Sequence, residues 1–175
     1  MRRGVIDIGT NSVKLLVADC LGSAVQPVTE TSRQTRLGRG LYESGQLQPE
    51  PIADTAEAVH DYLRLAKREG AVETGIIATS AMREADNARE LIDALGQVVA
   101  VLSGDDEARL AYAGVTTNPS LAKRDLLVID VGGGSTEFTR GSAGGVDRHM
   151  SIPLGSVRLL EGNPVGDPPA AGQLE

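Results

Sequence analysis

The chain has no Trp, one Phe and three Tyr, so aromatics make up only 2% of its 175 residues. Sequence-tolerant binding of nucleic acid needs aromatic platforms for base stacking, and this chain has too few to build them. Cys20 is the sole cysteine, which excludes an internal disulfide and a thiolate zinc site. His60 and His149 are the only histidines, too few for a histidine-based metal cluster. No Gly-Lys pair occurs, so there is no Walker A loop, and Gly38-Arg39-Gly40 lacks the third glycine of a dinucleotide fingerprint. No apolar run approaches the length of a membrane span, and Asp7 interrupts any signal-peptide core. Basic residues are also short: 17 against 24 acidic, for a net charge of -7. Nonspecific DNA binding is disfavoured, and a polyanionic ligand would need metal ions or a few focused Arg residues. Together these absences predict a cytoplasmic protein with an aliphatic core, drawn from the 41% of residues that are hydrophobic. Cys20, ending a strand-like run, is expected to be a small core residue.

What the chain does have is one turn written twice. Asp7-Ile8-Gly9-Thr10-Asn11-Ser12 and Asp130-Val131-Gly132-Gly133-Gly134-Ser135 both read Asp-aliphatic-Gly-x-x-Ser, each after a short aliphatic run. A strand that ends this way brings backbone N–H groups and hydroxyls close to an anion. The Asp adds a hard oxygen ligand for the cation that phosphates carry. Two such turns suggest a phosphate gripped from two sides.

The periodicity predicts strands at Val5–Ile8, Val13–Cys20 and Ala24–Thr35, then a Gly/Gln/Pro-rich loop from Gly38 to Pro51. Ile52, Ala56, Val59, Tyr62, Leu63 and Ala66 have helical spacing, with Pro51 suited to the first turn and Gly70 to the stop. Strand Gly75–Thr79, helix Ala85–Leu95, strand Val98–Leu102 and helix Asp105–Val115 follow. After a break at Thr116–Ser120 the strand pattern restarts with Leu126–Val131, Thr136–Thr139 and Val146–Ile152. Gly162–Pro169 reads as a loop and Pro168–Glu175 as a helix start. The order predicts one α/β lobe over residues 1–123 and the opening strands of a second, similar lobe over 124–175. The helices that should cover the second set of strands are missing, so that segment is expected to be the less stable one.

Several side chains are candidates for chemistry. In Ser103-Gly104-Asp105-Asp106-Glu107, Ser103 and Asp106 suit a helix cap, and Glu107 is left over as a carboxylate beside a loop. Arg83, at a strand-to-helix junction, has the fork that binds phosphate, or it pairs along a helix. Glu137 faces opposite Phe138 on its strand, toward a cleft or toward solvent. Arg33, Arg36 and Arg39 read as a solvated loop edge or as a second anion contact. If the strands beginning at Val5, Gly75 and Val98 are parallel, the loops carrying Asp7, Ser80–Arg83 and Ser103–Glu107 share one edge, where open α/β sheets bind ligands.

These segments, with Ala78–Asn87, Ser103–Val115 and Pro153-Leu154-Gly155-Ser156-Val157-Arg158-Leu159, resemble the exopolyphosphatase / guanosine pentaphosphate phosphohydrolase family. The resemblance implies a ribonuclease-H-like lobe of the actin-like ATPase superfamily, with a mixed sheet flanked by helices and the truncated start of a second lobe. It implies release of terminal phosphate from inorganic polyphosphate, or of the 5′-phosphate of guanosine pentaphosphate, with a divalent cation such as Mg²⁺. By matching, Glu107 is the general base, and Asp7, Asp130 and Glu137 handle metal. Thr10, Asn11, Ser12, Arg83, Gly132, Gly133, Gly134, Ser135 and Thr136 hold phosphate. Asp106 stands where the family pattern has Glu. The expected partners are polyphosphate or guanosine pentaphosphate, without nucleic acid or membrane, and a homodimer is allowed. Two alternatives remain from the residues: a sugar- or acetate-kinase-like phosphotransferase, and a non-catalytic lobe that binds phosphate or nucleotide.

Overall fold

The computed structural model describes residues 1–22, 24–142 and 145–163. In chain order the elements are β1 (Arg2–Ile8), β2 (Ser12–Leu21), β3 (Ala24–Gln34), α1 (Leu41–Ser44), α2 (Pro49–Arg68), β4 (Thr74–Ala78) and α3 (Ser80–Glu84). They continue with α4 (Ala88–Leu95), β5 (Ala100–Val101), α5 (Gly104–Thr116), β6 (Leu126–Val131), β7 (Thr136–Ser142), β8 (Gly145–Ile152) and α6 (Ser156–Gly162). The expected helix start at Pro168–Glu175 lies outside the described residues, as does most of the expected loop before it.

A five-stranded sheet has the order β3-β2-β1-β4-β5, with β1 at its centre. β1 pairs antiparallel with β2 and parallel with β4, and β4 runs parallel to β5. The loops after β1, β4 and β5 therefore gather on one edge, as the sequence predicted. β3 is an edge strand, which is why it tolerates Pro27; the pairing register shifts at Val17/Ala18 beside it.

One face of this sheet is dry. Ile6, Ile8, Val13, Leu15 and Val17 alternate onto it and meet Val59, Tyr62 and Ala66 of α2 and Leu91 and Leu95 of α4. Each such large aliphatic side chain stabilises the fold by about 1.5–3 kcal/mol when fully buried. Pro49 and Pro51 open α2, Lys67 and Arg68 close it, and Gly70 follows at φ 82°. The opposite face carries Val5, Asp7, Lys14 and Leu16. Cys20 is half-buried near the strand end rather than in the core, because it alternates with Leu16 and Ala18 onto the sheet face opposite the helices.

The helix expected at Ala85–Leu95 begins only at Ala88, as α4, and a short α3 that was not expected precedes it. Ala85 is extended (φ -76°, ψ 128°), and the amide of Asp86 donates to the Gly45 carbonyl. The Asn87 side chain brackets Leu47, accepting from its N–H at 2.7 Å and donating to its carbonyl at 3.0 Å. These bonds to a distant loop hold residues 85–87 out of the helix, and no local propensity announces them. The same loop hides the short α1. β5 is shorter than expected, and α6 lies where no element was expected.

β6, β7 and β8 form a separate antiparallel meander. Its first hairpin repeats the first hairpin of the chain. Asp7 faces Lys14 and Ile8 faces Val13; Asp130 faces Glu137 and Val131 faces Thr136. The turns close alike, Gly9 N–H donating to Ser12 O at 3.0 Å and Gly132 N–H to Ser135 O at 2.9 Å. One face of the meander is not bare: α5 lies on it, with Ala108 and Tyr112 buried and the Tyr112 ring filling the space a side chain at Gly141 would need. The other face keeps Leu127, Ile129 and Val131 exposed. No helix of the described residues is long and apolar enough to cross a membrane.

Candidate active site

Both Asp-x-Gly turns open onto one cavity of about 220 Å³. The first lines it with Asp7, Thr10, Asn11 and Ser12, the second with Asp130, Gly132, Gly133, Gly134 and Ser135, and α5 adds Glu107. Ten of the expected site residues thus share one wall. The parallel strands deliver Asp7 and Glu107 to the same edge, and the meander brings its own turn face to face with the first.

The glycines of the second turn make this possible. A Cβ on Gly134 would overlap the hydroxyls of Tyr42 and Ser80, and one on Gly133 would crowd Thr10. A Cβ on Gly155 would overlap the Gly133 carbonyl. Sequence suggested close approach to a ligand; the structure adds a close approach of protein to protein. The amides of Thr10, Asn11, Gly133 and Gly134 donate to no backbone carbonyl among the described residues, so four N–H groups remain beside the cavity. Unused amides on a turn are an anion-binding arrangement.

Glu107 is half-buried, and burial pushes its carboxyl above the usual carboxylate range. The Arg83 guanidinium pulls it back down, and Glu137 and Asp7 add to the rise. Arg83 donates to Glu107 Oε2 at 2.6 Å and to the Leu102 carbonyl at 2.9 Å. Its guanidinium is held on the acid, outside the cavity wall. Asp106 behaves as the helix cap: its N–H donates to Ser103 Oγ at 3.1 Å, and the Ser103 hydroxyl donates back to its carboxylate at 2.6 Å.

Asp7 is also pushed above the usual range, first by burial, then by Asp130, with Lys14 opposing. Its Oδ1 is buried without a hydrogen-bond partner. Asp130 is exposed into the same cavity. Glu137 is 2% exposed and accepts from Ser151 Oγ at 2.8 Å, behind the wall. Thr136 is buried under the turn, its hydroxyl on the Leu154 carbonyl. No group of three or more acids, histidines or cysteines among the described residues is arranged to hold a metal by itself.

Residues to which the sequence reading gave no individual role also line the cavity: Lys14, Thr79, Ser80 and Ser156. Lys14 had a signal, since it follows the first turn at the spacing at which Glu137 follows the second. Arg158, on α6, joins the lobes. Its Nε donates to Gly134 O at 2.8 Å, its Nη2 to both Glu84 oxygens at 2.7 and 2.6 Å, and its guanidinium lies 3.9 Å over the Tyr42 ring. Glu161, one turn on, accepts from the amides of Gly40 at 2.6 Å and Tyr42 at 3.3 Å.

The mixed sheet with its flanking helices, and the repeated turn that starts a second lobe, define a ribonuclease-H-like lobe of the actin-like ATPase superfamily. The profile of the Ppx/GppA phosphatase family matches residues 16–175, and the chain belongs to that family. It is 36% identical over 187 residues to the protein named exopolyphosphatase 2 of Mycobacterium tuberculosis, matching 99% of this chain and 58% of that one. The crystal structure of the Aquifex aeolicus Ppx/GppA family member superposes with a TM-score of 0.78 at 33% identity, over 99% of this chain and 58% of that one. An exopolyphosphatase from Cytophaga hutchinsonii gives a TM-score of 0.87 at 28% identity, over 98% of this chain and 56% of that one. The chain therefore spans a little over half the length of these relatives.

Proposed function

We propose that this protein is the phosphate-gripping part of a phosphohydrolase that releases terminal phosphate from inorganic polyphosphate, with guanosine pentaphosphate as a second substrate. The observation that carries this reading is the convergence of both Asp-x-Gly turns and Glu107 on one cavity. The relatives' names point the same way.

In this mechanism the amides and hydroxyls of Thr10, Asn11, Ser12, Gly133, Gly134 and Ser135 hold the phosphoryl oxygens and stabilise the charge that grows on them. Glu107 accepts the proton of the attacking water. Arg83 keeps the Glu107 carboxylate aimed and ionised. Lys14 adds positive charge at the cavity edge. The residues fit a divalent cation such as Mg²⁺, which keeps waters and phosphate ligands and takes only one or two carboxylates. Asp7, with its orphaned buried Oδ1, and Asp130 across the cavity would hold it. When bound it neutralises phosphoryl charge. Glu137, set behind the wall, acts on Glu107 through its charge.

The test is phosphate release, with and without Mg²⁺, on a version spanning the length of the relatives. Mg²⁺-dependent orthophosphate release from polyphosphate or guanosine pentaphosphate is expected. ATP consumption with transfer to an acceptor, and no release from either substrate, would overturn the reading in favour of a kinase.

A further inference from the structure

Arg36 is the sole non-glycine residue at positive φ among the described residues, at 50°. A left-handed conformation is strained for a side chain with a Cβ and persists only where its surroundings fix it. Here the phosphate turn itself does so. The Asn11 carbonyl accepts from the amides of Thr35 at 3.2 Å and Arg36 at 3.0 Å, and the Thr10 carbonyl accepts from Gly38 at 2.8 Å. The strained residue is thus stapled to the back of the first Asp-x-Gly turn.

Its side chain is exposed and makes no ion pair or side-chain hydrogen bond among the described residues. Its two neighbours of like charge are spoken for: Arg33 pairs with Asp61 at 2.8 Å and Arg39 with Glu50 at 2.5 Å. Arg36 lines a second cavity, of about 470 Å³, whose wall includes Asn11 and Ser156. Both of those residues also line the cavity that holds Asp7 and Glu107. Arg36 and Arg39 then line a third cavity, of about 230 Å³, beyond it. The middle cavity thus shares lining residues with each of the other two, and the third is also lined by Glu50, which pairs with Arg39, and by Asp54. The one acid lining the middle cavity, Glu161, is occupied by the amides of Gly40 and Tyr42.

We propose that Arg36 is a chain-binding subsite, holding an internal phosphate of linear inorganic polyphosphate while the terminal phosphate occupies the cavity of Asp7, Asp130 and Glu107. This rests on the reading given under Proposed function. A free guanidinium presents a fork that matches two phosphate oxygens. A linear polyanion with its terminal phosphate in the first cavity runs on past Arg36, whereas a guanosine pentaphosphate would set its base against Val157 and Leu160 of the same middle cavity, so the two ligands are compared directly.

The experiment is titration calorimetry of this chain in Mg²⁺ with pyrophosphate, long-chain polyphosphate and guanosine pentaphosphate. Arg36→Ala should weaken long-chain polyphosphate roughly tenfold or more, the size of one charge-assisted hydrogen bond, and leave pyrophosphate within about twofold. Arg36→Gly removes the same charge while relieving the backbone, so it should show the same loss with no fall in melting temperature. Arg33→Ala, outside these cavities, should change neither ligand. Equal weakening of pyrophosphate and polyphosphate, or no weakening of either, overturns the subsite and leaves the proposed function standing. A loss confined to guanosine pentaphosphate assigns Arg36 to the nucleotide and also overturns the proposal. If the unaltered chain binds none of the three, both readings fall together.

Discussion

Arg83 and Glu107 form an ion pair of 2.6 Å in which the cation also holds the Leu102 carbonyl, so the acid at the start of α5 is oriented by the helix that follows β4. A carboxylate that is half-buried, raised by its surroundings and fixed by a neighbour has the features of a base rather than of a helix cap.

Glu107→Gln keeps the size of the side chain and removes its ability to take a proton. On a version spanning the relatives' length, phosphate release should fall roughly 10²- to 10⁴-fold with binding retained. Asp106→Asn should change stability by about 1 kcal/mol or less, with little effect on rate. Initial rates and melting curves on the two variants separate the neighbours. Wild-type turnover in Glu107→Gln would remove Glu107 from the mechanism.

Arg83→Gln removes the group that draws the Glu107 carboxyl downward. The base must be ionised to act, so activity is present above its pKa and lost below it. Without Arg83 that pKa rises further, and the acid limb of the pH–rate profile should move to higher pH. A variant that raised KM without moving the acid limb would make Arg83 a phosphate ligand instead.

Asp7→Asn is expected to separate stability from function. The Asp7 carboxyl is raised above its ordinary value, so its ionised form destabilises the fold at neutral pH, and that penalty disappears as pH falls through the raised value. In chelator at pH 7 the Asn variant should melt higher than the unaltered chain, and the gain should vanish in acid. The stabilisation that Mg²⁺ gives the unaltered chain should be absent. Calorimetric scans across pH check both halves, and a lower melting temperature at neutral pH would contradict the first.

Arg158→Ala cuts the tie between α6 and the first lobe. Loss of the bonds to Gly134 O and Glu84 and of the stacking on Tyr42 should cost about 1–2 kcal/mol, discounted because Glu84 is partly solvated. Hydrogen exchange should quicken in Gly132–Ser135 and Ser156–Gly162 and stay unchanged in β1 and β2. Uniform change across the chain would mean a general loss of stability instead.

The central strands and α2 were legible because their apolar residues repeat with a period that burial imposes. The convergence of Asp7, Asp130 and Glu107 was legible from strand direction and from a turn that occurs twice. Asn87's grip on Leu47 was not, because it joins positions far apart in the chain and leaves no period. Arg83 gave the residue but not its partner: an Arg at a strand end can reach a phosphate or an acid, and only the placement of Glu107 decides between them. α6 was missed because none of its residues is buried, so it carries no apolar stripe to read.

Lys14 and Glu137 stand at matched register positions of two hairpins with the same turn, yet carry opposite charge, and Lys14 reaches the cavity while Glu137 stays behind its wall. A duplicated backbone would by itself give a cleft with two equivalent ends. This one has a polarity. An anion lying between the turns meets an ammonium on one side and a repelling carboxylate field on the other, so its two orientations differ in energy.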